Sequence, residues 1–273
     1  MSALVAPRRD KSPAQRYRHS LWLLTKRDLQ VRYTTSSLGY LWSILDPLLM
    51  SGIYYFVFVV LFKRGDLTDQ PYMVFLMSAL LPWTWFNGAV NDMAKAFIRE
   101  AKLIRSTSIP RSIWVARIVL SKGIEFIISI PVLIVFAVIS EFTADPAHIQ
   151  WTIVFVPLAI VLEAILIFGI GLILAPIVVF FRDLERAIKL ILRVLFYATP
   201  IVYGIEKFDD RDLIKNVLRF NPLTGIMGIY RGTFFAGDVD WVAILISAIF
   251  SLVILGVGIL LFRRNVRAVL KEL

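Results

Sequence analysis

The sequence contains no cysteine, which removes disulfides, thiolate nucleophiles and thiolate metal sites together and leaves the redox compartment undetermined. Histidine is nearly absent: only His19 and His148 occur, and their separation argues against a metal centre. The pattern G-x-x-x-x-G-K-[ST] occurs nowhere, so the chain lacks the loop with which a P-loop protein cradles and hydrolyses ATP. Charge is scarce too, at 18% of residues against 58% hydrophobic, and several apolar runs exceed the ~18 residues needed to cross hydrocarbon. This composition excludes a soluble domain and implies a polytopic membrane protein. Residues 1–40 are basic and polar, without the apolar core and small-residue cleavage site of a signal peptide, so the first span is expected to be its own insertion signal.

What is present is a series of six apolar runs, at 41–62, 72–90, 118–139, 151–181, 188–204 and 241–262. The fourth is long enough to tilt, and Pro157 and Pro176 are placed to bend it. The net charge of +10 would suggest nucleic acid in a soluble protein, but its distribution is topological, and no nucleic-acid partner is expected. Eight Lys and Arg residues precede the first run, five lie in 91–111, three in 182–189 and four follow the last, while the other three loops hold two, none and five. The loop with five also carries six acids. By the positive-inside rule both termini are expected in the cytoplasm.

Three stretches carry local information. Residues 14–33 are too polar to span and predict a helix lying on the inner surface, with one apolar stripe of Tyr17, Leu21, Leu24 and Val31 and another of Trp22, Leu29 and Tyr33. Two stripes suit a helix held between lipid and protein. Residues 27–47 then form a junction between water and membrane: Arg27, Asp28 and Arg32 are charged, Tyr40 and Trp42 are interfacial aromatics, and Asp46-Pro47 puts a carboxylate and a helix-distorting residue inside the first run. At 91–108, Met93, Phe97, Ala101 and Ile104 recur at helical spacing, which predicts a short cytoplasmic helix with one apolar face. That face either packs on the span ends of its own chain or docks in a groove of a partner.

Ionisable residues within spans are functional or clamping by default. At a rise of about 1.5 Å per residue, Asp46 and Arg193 lie about 8 Å, Glu125 about 10 Å and Glu163 about 12 Å from the inner surface of a ~30 Å core. The four predict one charged belt at the inner mouth of a passage, with Arg193 paired to one of the acids, or else a set of interhelical clamps.

The strings RDLQVRYTTSSLGYLWSILDP (27–47), LIRSTSIPR (103–111), Arg182-Asp183, Pro200-Ile201, Tyr203, Asn221-Pro222 and Arg231 together resemble the ABC-2 permease family that exports capsule, O-antigen, teichoic acid and galactan polymers, the Wzm-like transmembrane subunits. The resemblance covers about 17–262. It departs in a short second external loop and in Lys207, where the family has a proline.

The resemblance implies an all-α membrane domain at 41–262 with six spans, between a cytoplasmic tail and interfacial helix at 1–40 and a cytoplasmic tail at 263–273. It further implies a coupling helix at about 91–108, whose Met93, Phe97, Glu100 and Ile104 would meet the ATPase, and a re-entrant external segment at about 205–237. Asn221, Pro222 and Arg231 would belong to an external gate. The implied assembly, in the inner or plasma membrane, is a permease homodimer with two copies of a P-loop ATPase that binds ATP and magnesium, no cofactor being held by this chain. Its substrate would be a polysaccharide linked through pyrophosphate to a polyprenyl lipid. Arg27 and Arg32 are the cations expected at the pyrophosphate. Tyr54, Tyr55, Phe58, Phe196, Tyr197 and Tyr203 would stack on passing sugars, although such aromatics also serve as lipid-facing and packing residues. Two other classes stay open: a membrane glycosyltransferase holding a metal on Asp210 and Asp212, and a passive channel.

Overall fold

A computed structural model describes residues 12–34, 38–61, 71–142, 146–205, 211–235, 237 and 239–272. Every regular element among them is a helix. The elements are α1 (Pro13–Thr34), α2 (Trp42–Tyr55, continued by a π-helical stretch Phe56–Leu61), α3 (Tyr72–Arg99), α4 (Ala101–Ser106), α5 (Ile113–Ser140), α6 (Val156–Phe180, entered through a 3-10 turn Trp151–Phe155), α7 (Leu184–Ala198), α8 (Asp212–Arg219), α9 (Pro222–Gly232) and α10 (Trp241–Glu272). Pro157 falls in the first turn of α6, where its missing N–H costs nothing.

The core is built around α3. Residues such as Leu76, Met77, Ala89 and Met93 occur on every side of this helix and are all fully buried, because α2, α5, α6, α7 and α9 surround it. A helix apolar all round needs enclosure by protein or by hydrocarbon, and here protein supplies it. α10 packs along α6 at very short range: a Cβ at Gly169 would lie 2.8 Å from the Leu255 backbone nitrogen, and one at Gly258 2.6 Å from the Gly169 carbonyl oxygen. Gly171 turns the other way, toward Met93 of α3 and Val115 of α5. The two neighbouring glycines therefore serve different helix crossings, as small residues do where hydrophobic driving force is weak.

The six-span count is not confirmed, and one expected helix needs correction. Among the described residues five helices, not six, are long and apolar enough to cross a membrane. The run at 188–204 becomes the 15-residue α7, about 22 Å long and shorter than a ~30 Å core, followed by non-helical residues 199–204. α7 fails to continue because Thr199 turns extended (φ −103°, ψ 137°) just before Pro200, which disfavours helical geometry in the residue ahead of it. Likewise no separate helix spans 91–108: α3 runs without interruption to Arg99, breaks at Glu100 and resumes as the six-residue α4.

Candidate functional site

Charged residues of α1, α3 and α5 recur at intervals of four or eight residues: Asp28 and Arg32 on the first, Asp92 on the second with Glu100 at the break just after it, Arg117 and Glu125 on the third. Residues four apart share a helix face, and the fold turns the three faces together. Arg117 Nη1 donates to Asp28 Oδ1 at 2.6 Å and Nη2 to Glu100 Oε1 at 3.3 Å. Arg27 Nη2 donates to the same Glu100 oxygen at 2.6 Å. Arg32 is shared between Glu125 at 2.8 Å and Asp92 at 2.8 Å, and Lys122 Nζ reaches Glu125 at 2.9 Å. The Arg117 side chain is only 4% exposed, so its charge depends on these carboxylates. Burial lifts the Asp28 carboxyl above its ordinary value, against the opposing pull of Arg117 and Arg27.

Arg32 separates two cavities. One, about 380 Å³, lies between α2, α3 and α5 and is lined by Arg32, Trp42, Asp46, Trp85, Lys122 and Glu125. The other, about 350 Å³, is bounded by Arg27, Asp28, Asp92, Glu100 and Arg117. α1 closes the second cavity with Thr25 and Leu29 buried beneath it, while Trp22, Leu23 and Val31 remain more than half exposed. One face of α1 is thus covered by protein and the other exposed, and its apolar residues divide differently from the two expected stripes, with Leu29 inward and Val31 half exposed at the edge of the second cavity.

The two cavities together form one charged chamber, which the predicted cations Arg27 and Arg32 both reach, but as ion-paired rather than free groups. Asp92, Arg117 and Lys122, which sequence reasoning did not select, complete it. The single belt does not form. Asp46 and Glu125 share the larger cavity, whereas Arg193 is exposed on α7 with no acidic partner among the described residues. Glu163 is fully buried on α6, where Tyr230 of α9 donates to its Oε2 at 3.0 Å. The face assigned to docking is likewise internal: Met93, Phe97 and Ile104 are at most 1% exposed and Glu100 belongs to the chamber. What α4 presents outward is Lys102, Leu103, Arg105 and Ser106.

The aromatics divide by exposure. Tyr54 of α2 stacks on Phe196 of α7 at 5.7 Å, Phe196 meets Tyr197 edge-on at 5.1 Å, and Trp83 of α3 backs Phe196 at 5.5 Å. The Tyr203 hydroxyl donates to the Tyr197 carbonyl at 2.9 Å. Phe196 is a buried packing residue, while Tyr55 and Tyr197 are exposed; the Phe58 side chain lies outside the described residues.

At the end of the bundle away from α1, Asn221 and Arg231 act on one junction. Asn221 Oδ1 accepts from Leu223 N at 3.0 Å, capping α9 ahead of Pro222, and its amide donates to Ala198 O and Thr199 Oγ1. Arg231, 4% exposed, donates to Ile201 O at 2.8 Å and Tyr203 O at 3.3 Å with its guanidinium 3.7 Å from the Phe75 ring centre. Asn221 and Arg231 therefore fasten α9 to the chain leaving α7, and Pro222 opens α9. Asp212 begins α8, and Asp210 lies outside the described residues, so the two-carboxylate metal site gains no support.

Comparison with known proteins gives one consistent result. The sequence profile described as "ABC-2 type transporter" matches residues 19–235. An O-antigen export system permease protein RfbA of Klebsiella pneumoniae is 33% identical over 244 residues, covering 89% of this chain and 91% of that protein. The RfbA of Myxococcus xanthus is 29% identical over 219 residues, 80% of this chain and 81% of its own. A polysialic acid transport protein KpsM of Escherichia coli is 24% identical over 250 residues, 89% and 92% of the two chains.

Proposed function

The chain belongs to the ABC-2 type transporter family, and from that premise we propose that it is the membrane-spanning subunit of an ATP-driven exporter for a polysaccharide carried on a polyprenyl pyrophosphate. With no P-loop of its own, it relies on a separate ATPase subunit to bind ATP and magnesium. Its termini face the cytoplasm, by the distribution of Lys and Arg. α7 and the residues after it complete a sixth crossing, and α8 and α9 form a re-entrant pair at the outer side. Two copies face each other across the pathway; the exposed Tyr55 and Tyr197 support that arrangement, since they offer flat, weakly directional surfaces to a moving sugar chain.

The observation that carries the reading is the larger cavity beside the junction of α1 and α2. Its lining includes Arg32 and Lys122, with Glu125 as their shared partner, and this supports the arrival of a lipid headgroup there. An incoming pyrophosphate exchanges for Glu125 and offers two cations more charge and more acceptors than one carboxylate does. The outward face of α4, with Lys102 and Arg105, is the surface left for the ATPase.

Affinity purification of tagged protein in mild detergent, with identification of co-purifying chains and an ATPase assay, tests this directly. A stoichiometric P-loop ATPase is expected, whose hydrolysis is stimulated by lipid-linked glycan. Arg32→Gln with Lys122→Gln should abolish the stimulation and leave basal hydrolysis. Recovery of the chain alone, with no nucleotide hydrolysis, overturns the exporter reading.

A further inference from the structure

Apart from the charged chamber, α3, α5, α6 and α9 enclose an apolar cavity of about 300 Å³. Leu81, Ile130, Leu133, Ala137, Val156 and Phe234 line it. One side is open, since Ile134 and Val138 on its rim are 54% and 55% exposed; in a membrane-spanning bundle that exposure meets hydrocarbon. At the end away from α1 the rim carries Glu141, whose carboxylate lies 3.5 Å from His148 Nδ1. Residues 140–150 contain no Lys or Arg.

An apolar void of about 150 Å³ already stays dry and admits a benzene-sized guest. A cavity of twice that volume, opening sideways into a bilayer, has acyl chains as its most abundant partner. The rim sets the headgroup: a carboxylate whose one ion pair among the described residues is with His148, and whose own loop carries no Lys or Arg, attracts an ammonium and repels a phosphate that carries net negative charge. We propose that this cavity binds one acyl chain of a phospholipid whose headgroup bears an ammonium, which Glu141 receives.

The site reaches the working parts of the fold through its inner wall. Phe126 borders both this cavity and the charged one, stacking on Trp85 at 5.4 Å and meeting Tyr230 edge-on at 5.7 Å. Tyr230 is the α9 residue bonded to Glu163. A bound chain therefore supports the seat of α9 as well as filling a void.

The test is thermal unfolding of the delipidated full chain in detergent, titrated separately with dioleoylphosphatidylethanolamine, dioleoylphosphatidylglycerol and a polyprenyl phosphate. A saturable rise in midpoint is expected with the phosphatidylethanolamine, absent in Ala137→Trp, which fills the cavity, and weakened in Glu141→Gln. An equal rise with phosphatidylglycerol, or a larger one with polyprenyl phosphate, overturns the proposal, the latter by making the cavity a site for a substrate tail. Should Ala137→Trp not fold, phosphatidylethanolamine carrying a diazirine in its acyl chain decides on the unmodified protein. Label concentrated at 130–138 and 149–156 supports the site, and label spread along the exposed faces of α2 and α10 refutes it.

Discussion

Replacing Arg117 with methionine keeps most of the side chain's volume and removes the charge that ties α1 to α5. Asp28, 18% exposed, and Glu100, 12% exposed, then stay in place without their buried cation. Removing one partner of a fully buried pair costs about 3–5 kcal/mol. Here Arg27 partly compensates, lying 2.6 Å from Glu100 and 3.9 Å from Asp28, although it is itself 37% exposed. That reduces the expected loss to about 2–3 kcal/mol, or a 30- to 150-fold shift at about 1.4 kcal/mol per factor of ten. The loss should be local, because α1 meets the body of the fold mainly along α5 and has exposed residues on its other side. Hydrogen exchange of α1 amides in nanodiscs is the direct readout, and a faster exchange by about that factor is expected while α3 and α6 keep their protection. A double-mutant cycle with Asp28→Asn separates the pair from its surroundings, and the double variant should be less destabilised than the sum of the singles. Unchanged exchange in Arg117→Met, or strict additivity in the cycle, would refute the assignment of this pair as the tether of α1.

Three further outcomes are expected. Asn221→Ala should lower thermal stability by about 1 kcal/mol for the lost cap and somewhat more for the bonds to Ala198 and Thr199; Asn221→Asp, which keeps the cap and loses the amide donor, should fall between. Gly169→Leu should destabilise by about 3 kcal/mol or more through overpacking against α10, whereas Gly256→Ala, with nothing within 4 Å, should be neutral or stabilising by up to about 1 kcal/mol; unfolding midpoints compare the two. Burial pushes the Asp240 carboxyl up, but hydrogen bonds from Arg219, Ala243 and Val242 outweigh it and hold the group below its ordinary value. The resulting stability is present above the unfolded aspartate range and lost as pH falls toward the folded value. Asp240→Asn should therefore flatten the acid side of a stability-against-pH profile.

The chamber was half legible in advance. Arg27 and Arg32 could be selected because the pyrophosphate implied by the family resemblance needs fixed cations at the inner mouth. Arg117 and Lys122 could not, because each stands inside or beside an apolar run and shows its role only when the matching acids on α1 and α3 are placed opposite. The intervals of four residues between Asp28 and Arg32, and of eight between Asp92 and Glu100 and between Arg117 and Glu125, were available as a signal, but periodicity names a face without naming what it meets. The same limit explains Met93, Phe97 and Ile104: helical spacing identifies an apolar face, and a docking face and a core face have the same spacing. It also explains Arg193, whose depth along the chain matched that of the acids while its direction around the helix did not.

Composition and the lengths of the apolar runs determined by themselves that this is a helical membrane protein, roughly where its long helices lie and that it carries no ATP-binding loop, because those properties follow from local transfer energies and from motifs contiguous in the chain. Tertiary structure decided which charges meet, that α7 stops at Ala198, that Glu163 is joined to Tyr230 and that α3 is the enclosed helix. Each of these depends on the rotation of one helix against another, which is set by the close packing of side chains distant in sequence, and a linear pattern carries no record of it.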